Sequence, residues 1–110
     1  MKIRSGAMGF WDLRNLQLEA FRPGVMSKAA MGEGLIMVCL EIAPDQEDLG
    51  HQHPGDQCGI VLEGRIEMFI DQERRVLAPQ ECYFIPAGVR HGWKTFDKPA
   101  RLLDVSNRMP

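Results

Sequence analysis

Histidine is scarce in this chain, with 3 in 110 residues, and two of them stand at His51 and His53. Side chains at i and i+2 of an extended segment project to one side, so these imidazoles can converge on one point. Gln57 can bring an amide oxygen to the same point after the turn HPGD, where Pro54 and Gly55 bend the chain. His91 follows its own turn, PAGV, and has to arrive from a neighbouring strand. Three imidazoles and an amide oxygen make a divalent-metal site with room for water, and the donor set suits zinc, nickel, iron(II) or manganese alike. An isolated His-x-His is more often a chance pair of loop-capping rings; the longer pattern argues otherwise here. The thiols are expected to stay out of the site. Cys58 adjoins Gln57 and points to the opposite face, Cys82 is read as core, and the widely spaced cysteines read as buried reduced thiols.

One carboxylate also stands out. Asp104 sits between apolar residues in ARLLDVS, and core strands seldom carry an acid unless it is paired or has a role. It is either an outward-facing strand residue or a general acid/base or substrate anchor near the metal. In HGWKTF, alternation places His91, Trp93 and Thr95 on one face, with Trp93 as core or as a wall for a ring-shaped ligand. Tyr83, between the apolar Cys82 and Phe84, is expected to face out, as is Arg90 beside His91. Met26, Met31 and Met37 are read as adaptable core filling or pocket lining.

The elements that must position these residues are short strands. LIMVCLEIA (Leu35–Ala43), CGIVLE (Cys58–Glu63) and the alternating RIEMFI (Arg65–Ile70) read as strands, with Gly64 and Arg65 as a turn. DQER (Asp71–Arg74) reads as a hairpin turn, and RVLA, CYFI, HGWKTF and ARLLDVS as further strands. FWDLRNLQLEAF fits a helical turn or an entry strand, and Lys2 to Gly9 a loose tail. Many short strands with frequent glycine and proline predict an all-β sandwich or small barrel. The length suits one domain, residues 1–110, with one core. A net charge of −2 gives no footprint for nucleic acid or an anionic membrane. No apolar run is long enough for a signal peptide or a membrane span, so a cytoplasmic setting is expected.

The spacing resembles the cupin metal motifs. His51, His53, Gln57 and Gly64 match the first, and Pro86, Gly88 and His91 the second, with Gln80 in place of its opening glycine and Thr95 in place of its closing asparagine. The resemblance spans about Gly34 to Ser106 and implies a double-stranded β-helix, the cupin jelly-roll barrel. Within that family the chain looks most like small cupins that ketonise 4,5-unsaturated uronates. The likeness lies in PGVMSKAAMGEGLIM, HQHPGDQCGIVLEG, IPAGVRHG and LLDVS. It implies metal ligands His51, His53, Gln57 and His91, a catalytic Asp104, and a nearby arginine with which Arg108 stands roughly in register; Arg108 and the alternation-placed Trp93 are the candidate substrate contacts. Where those relatives carry a phenylalanine after the acid, this chain has Ser106. Most metal cupins place a glutamate at position 57. A neutral glutamine leaves the metal's charge uncompensated, which favours an anionic ligand, so Gln57→Glu is expected to bind metal more tightly and turn over less. Two other readings fit the same residues: an oxygen-dependent enzyme holding iron, and a metal-dependent small-molecule binding or sensing module. A homodimer is expected, with Phe10 and Trp11 covering a neighbour's sheet.

Overall fold

The computed structural model describes residues 9–108. It consists of ten antiparallel strands: β1 (Glu19–Arg22), β2 (Val25–Met31), β3 (Leu35–Ile42), β4 (Glu47–His51), β5 (Gln57–Glu63), β6 (Ile66–Ile70), β7 (Glu73–Leu77), β8 (Cys82–Ile85), β9 (His91–Thr95) and β10 (Ala100–Asn107). Six form one sheet in the order β1-β2-β3-β10-β5-β8, and four form the other in the order β4-β9-β6-β7. The two sheets close on each other as the expected jelly roll. No helix among the described residues is long and apolar enough to cross a membrane.

Alternation in the sequence decides what fills the interior. Ile66 and Met68 on β6 and Ala100 and Leu102 on β10 are buried, while the residues between them are only partly so. With Ile42, Val61, Leu77 and Ile85 they make one core. Full burial of a side chain such as Ile42 or Ile66 is worth about 1.5–3 kcal/mol. Gly64, with φ of 76°, makes the tight turn between β5 and β6. The polar turn after β6 is shorter than expected. Asp71, at φ 54°, and Gln72 make it, and Glu73 already pairs with Ile70.

Several sequence expectations need correction. Tyr83 faces inward and is 7% exposed, whereas Phe84 is 61% exposed and Cys82 is also on the surface. The strand CYFI has no polar residue to mark its outer side, so its phase is not readable from alternation. Only Cys39 of the three thiols is buried, and Cys58 is half-buried; all are free. Met26 and Met31 lie exposed on β2 rather than in the core. The segment from Phe10 to Phe21 resolves into a turn at Leu13–Asn15 followed by β1. The expected loose tail falls, except for exposed Gly9, outside the described residues.

Candidate metal centre

β4 ends on His51 and β9 begins on His91, and the two residues are cross-strand partners. The β4–β9 register shifts between Asp48 and His51, so a bulge at the end of β4 turns His51 toward the interior. Arg90 holds that bulge from outside by donating from Nη2 to the Leu49 carbonyl at 3.1 Å. His53 lies on the loop that leads into β5, Gln57 is the first residue of that strand, and the loop is stitched to the one before β9. The Gly88 N–H donates to the His53 carbonyl at 2.7 Å, and the Ala87 N–H to Asp56 Oδ1 at 2.9 Å. The two histidine-bearing segments are thus positioned by each other.

The three rings converge, with centroids 4.3 Å apart for His51 and His91, 4.6 Å for His51 and His53, and 4.9 Å for His53 and His91. One ligand atom from each lies within 4.8 Å of the others. Two of the rings have their outer nitrogens already occupied. His51 Nδ1 is 3.0 Å from Asp48 Oδ2, and His91 Nδ1 is 3.0 Å from the Val89 carbonyl oxygen. A carbonyl only accepts, so His91 Nδ1 carries the proton and Nε2 presents its lone pair inward. Burial disfavours charge on His91 and on His53, and holds both below the usual histidine range; the neighbouring His51 adds to this. Burial opposes ionisation of Asp48 as well, but the Gly50 N–H and His51 outweigh it and hold its carboxyl below the usual range.

The fourth member comes from β5 and β10. Gln57 Nε2 donates to Asp104 Oδ2 at 2.7 Å, and the Tyr83 hydroxyl donates to Asp104 Oδ1 at 2.7 Å. Asp104 is 9% exposed. Burial raises its carboxyl above the usual range, and the bonds from Tyr83 and Gln57 offset part of that rise. Burial, then the Asp104 charge, push the Tyr83 hydroxyl far above its ordinary value. Gln57 Oε1 and His91 Nε2 are buried and have no hydrogen-bond partner. Buried polar atoms are seldom left in that state, and a cation shared with His51 and His53 would satisfy both. The donor set therefore fits a divalent metal ion.

These side chains open onto a cavity of about 80 Å³ whose floor is apolar, formed by Leu40, Ile42, Met68, Ile85 and Leu102. Its wall includes Trp93, Tyr83 and Asp104. Of the residues singled out in the sequence, the structure brings together His51, His53, Gln57, His91, Trp93 and Asp104. Arg108 lies elsewhere, exposed, with Nη1 donating to the Gly32 carbonyl at 2.9 Å. Thr95 points inward but ties down the chain before β4, donating to the Ala43 carbonyl at 2.7 Å. Sequence reasoning missed Tyr83 as the donor to Asp104. It also missed Phe21 and Arg22, which line the cavity from β1. The Pro23–Gly24 pair just after them is a hairpin signal that points to a strand ending at Arg22.

Residues 38–106 match the family model described as a cupin domain. The chain superposes on KdgF from a Halomonas species with a TM-score of 0.81 at 23% identity, over 94% of this chain and 96% of that one. An RmlC-like cupin from Shewanella frigidimarina gives 0.81 at 21% identity, over 93% and 92% of the two chains. TT1209 from Thermus thermophilus gives 0.81 at 27% identity, over 94% and 100%. No curated protein matches the chain in sequence.

Proposed function

We propose, from the premise that this chain belongs to the family of cupin domains, that it is a metal-dependent enzyme acting on a small anionic, sugar-derived acid. In its specific form the reaction is ketonisation of a 4,5-unsaturated uronate. The supporting observation is the bond from Gln57 to Asp104, which sets a buried carboxylate beside the point where Gln57 Oε1 and the histidines meet. The likeness of HQHPGDQCGIVLEG and LLDVS to the uronate-ketonising cupins adds the substrate class.

His51, His53, His91 and Gln57 would hold the metal, which when bound supplies a Lewis acid for oxygen anions. Ketonisation moves a hydrogen from oxygen to carbon within one molecule. A single acid/base group that takes the proton at oxygen and returns it at carbon is therefore sufficient. Asp104 is the one carboxylate among the cavity's lining residues, and its oxygens hold or move that proton. Tyr83 fixes the carboxylate from behind. Trp93 offers a flat wall for the sugar carbon chain, and the apolar floor keeps water out. The reading includes a homodimer, supported by the exposed Phe10 and by the apolar outer surface around Ile60, Phe84 and Val105. Sedimentation that finds only monomer at micromolar concentration removes this part.

The test is proton NMR of 4,5-unsaturated galacturonate and its alginate-derived counterpart with protein loaded in turn with zinc, nickel, iron(II) or manganese. Metal-dependent loss of the unsaturated species, absent in His91→Ala, is expected. No acceleration with any of the four metals removes the ketonising reading.

A further inference from the structure

We infer that Arg22 is the anchor for the ligand's carboxylate and sets the cavity's preference for acids over neutral analogues. The inference deepens the reading above and rests on it for the cavity being the ligand site.

The placement of Arg22 is built into the β1–β2 hairpin. Arg22 and Val25 are cross-strand partners closing a turn made by Pro23 and Gly24. Proline presets the first turn position, and Gly24 adopts φ of 80° at the second, where a side chain would be strained. A Cβ at Gly24 would also collide with the Gln46 side chain, and the Gly24 carbonyl accepts the Ala43 N–H at 2.8 Å, so the turn is fixed to the barrel. Cross-strand partners share a face. Val25 is buried and lines the cavity, so Arg22 is directed to that same side. The register of β1 shifts between Ala20 and Arg22. A bulge of this kind re-aims side chains, and it explains how the adjacent Phe21 and Arg22 both line the cavity.

Arg22 is the only Lys or Arg among the cavity's lining residues. Among the described residues its guanidinium makes no side-chain hydrogen bond or ion pair; it lies over the neighbouring Phe21 ring, 5.8 Å from the centroid. Asp48 on β4 is already bonded to His51 and to the Gly50 N–H. Asp104 is likewise engaged at both oxygens. Among the described residues the N–H donors of Arg22 are thus free, at the rim of a cavity whose one lining carboxylate is taken. A guanidinium is planar and pairs with a carboxylate through two parallel bonds, which fixes orientation as well as charge. At the rim Arg22 keeps its water until a ligand arrives, so the site carries no buried, unpaired charge while empty.

The test compares wild type, Arg22→Ala and Arg22→Lys, each loaded with zinc, for binding of galacturonate and of its methyl ester by calorimetry. Zinc affinity is measured separately by competition with a chromophoric chelator. Wild type is expected to favour the acid. Arg22→Ala is expected to bind the acid about tenfold or more weakly, as for loss of a charge-assisted pair, with ester and zinc binding unchanged. Arg22→Lys retains part of the preference. A wild type that does not distinguish acid from ester, or an alanine variant that binds the acid like wild type, overturns the inference. The two proposals can fail separately. Lost acid preference in Arg22→Ala, from a wild type inert toward 4,5-unsaturated galacturonate, keeps the anchor and removes the ketonising reading. Turnover by Arg22→Ala with unchanged KM keeps that reading and removes the anchor.

Discussion

Gln57 Nε2 donates to Asp104 Oδ2 at 2.7 Å, and this bond decides which end of the amide meets the histidines. An ionised carboxylate only accepts, so the NH₂ must face Asp104 and Oε1 must face His51, His53 and His91. The negative charge that a glutamate would bring to the centre is carried instead by Asp104, one hydrogen bond further out. The shortage of charge inferred from Gln57 in the sequence is therefore partly made up by β10.

Exchanging Gln57 for glutamate would set two carboxylates at hydrogen-bond distance inside the wall. Metal-free Gln57→Glu is expected to lose about 1–3 kcal/mol, the usual penalty for a buried polar group facing the wrong partner. At roughly 4–8 °C per kcal/mol for a domain of this size, that is a readable fall in Tm. Adding Asp104→Asn to the same chain restores a donor to face the introduced carboxylate and should recover most of the loss. Thermal melts in chelator decide the matter; a Gln57→Glu protein melting with wild type denies the contact.

Gly59 lies opposite Tyr83 on β5, and a Cβ there would collide with the Tyr83 hydroxyl and the Leu103 carbonyl. Gly59→Ala is thus expected to push Tyr83 off Asp104 and to destabilise the domain by about 1–3 kcal/mol, as overpacking does. Tyr83→Phe removes the same bond without crowding. Comparable losses of turnover in the two variants would show that the bond, rather than the volume, matters. Full activity in Gly59→Ala would contradict the argument.

A metal that binds only the folded chain raises its stability by mass action, about 2.7 kcal/mol at a free concentration of 100 Kd. Zinc or nickel is expected to raise the Tm of wild type, and chelator to reverse it. His91→Ala, which removes a buried nitrogen that has no other partner, should lose the metal-dependent increment. An equal increment in that variant would place the metal elsewhere.

What the sequence made legible followed from periodicity and spacing. Ile66, Met68 and Ile70 fall on one face with Glu67 on the other, and β6 lies where they put it. The His-x-His and Pro-x-Gly patterns marked the two loops that Gly88 and His53 join. The losses have equally local causes. β4, EDLGH, is bulged at a glycine and lacks alternation, and β2 carries Lys28 and two alanines where a strand usually has branched residues. Tyr83 stood among residues apolar on both sides. Its true phase is implied only by Asp104 needing a donor and by Gly59 leaving room for a ring, and both partners lie far away in the chain.

Asp104→Asn separates the acid's chemistry from its positioning role. An asparagine can turn its NH₂ to the Tyr83 oxygen, which accepts as well as donates, and keep its own oxygen on Gln57. Both hydrogen bonds then survive, and with them the orientation of Gln57 Oε1. Only the charge and the transferable proton are gone. Zinc affinity should fall by a few-fold at most, from the lost negative charge, while turnover of 4,5-unsaturated galacturonate should fall about 10²–10⁴-fold, the range for a general acid/base. Asp104→Ala gives the contrast. It frees the Gln57 amide to rotate, so zinc affinity and turnover should fall together. If Asp104→Asn turns over like wild type while Asp104→Ala loses metal, Asp104 is a brace for Gln57 and the proton must move through another group.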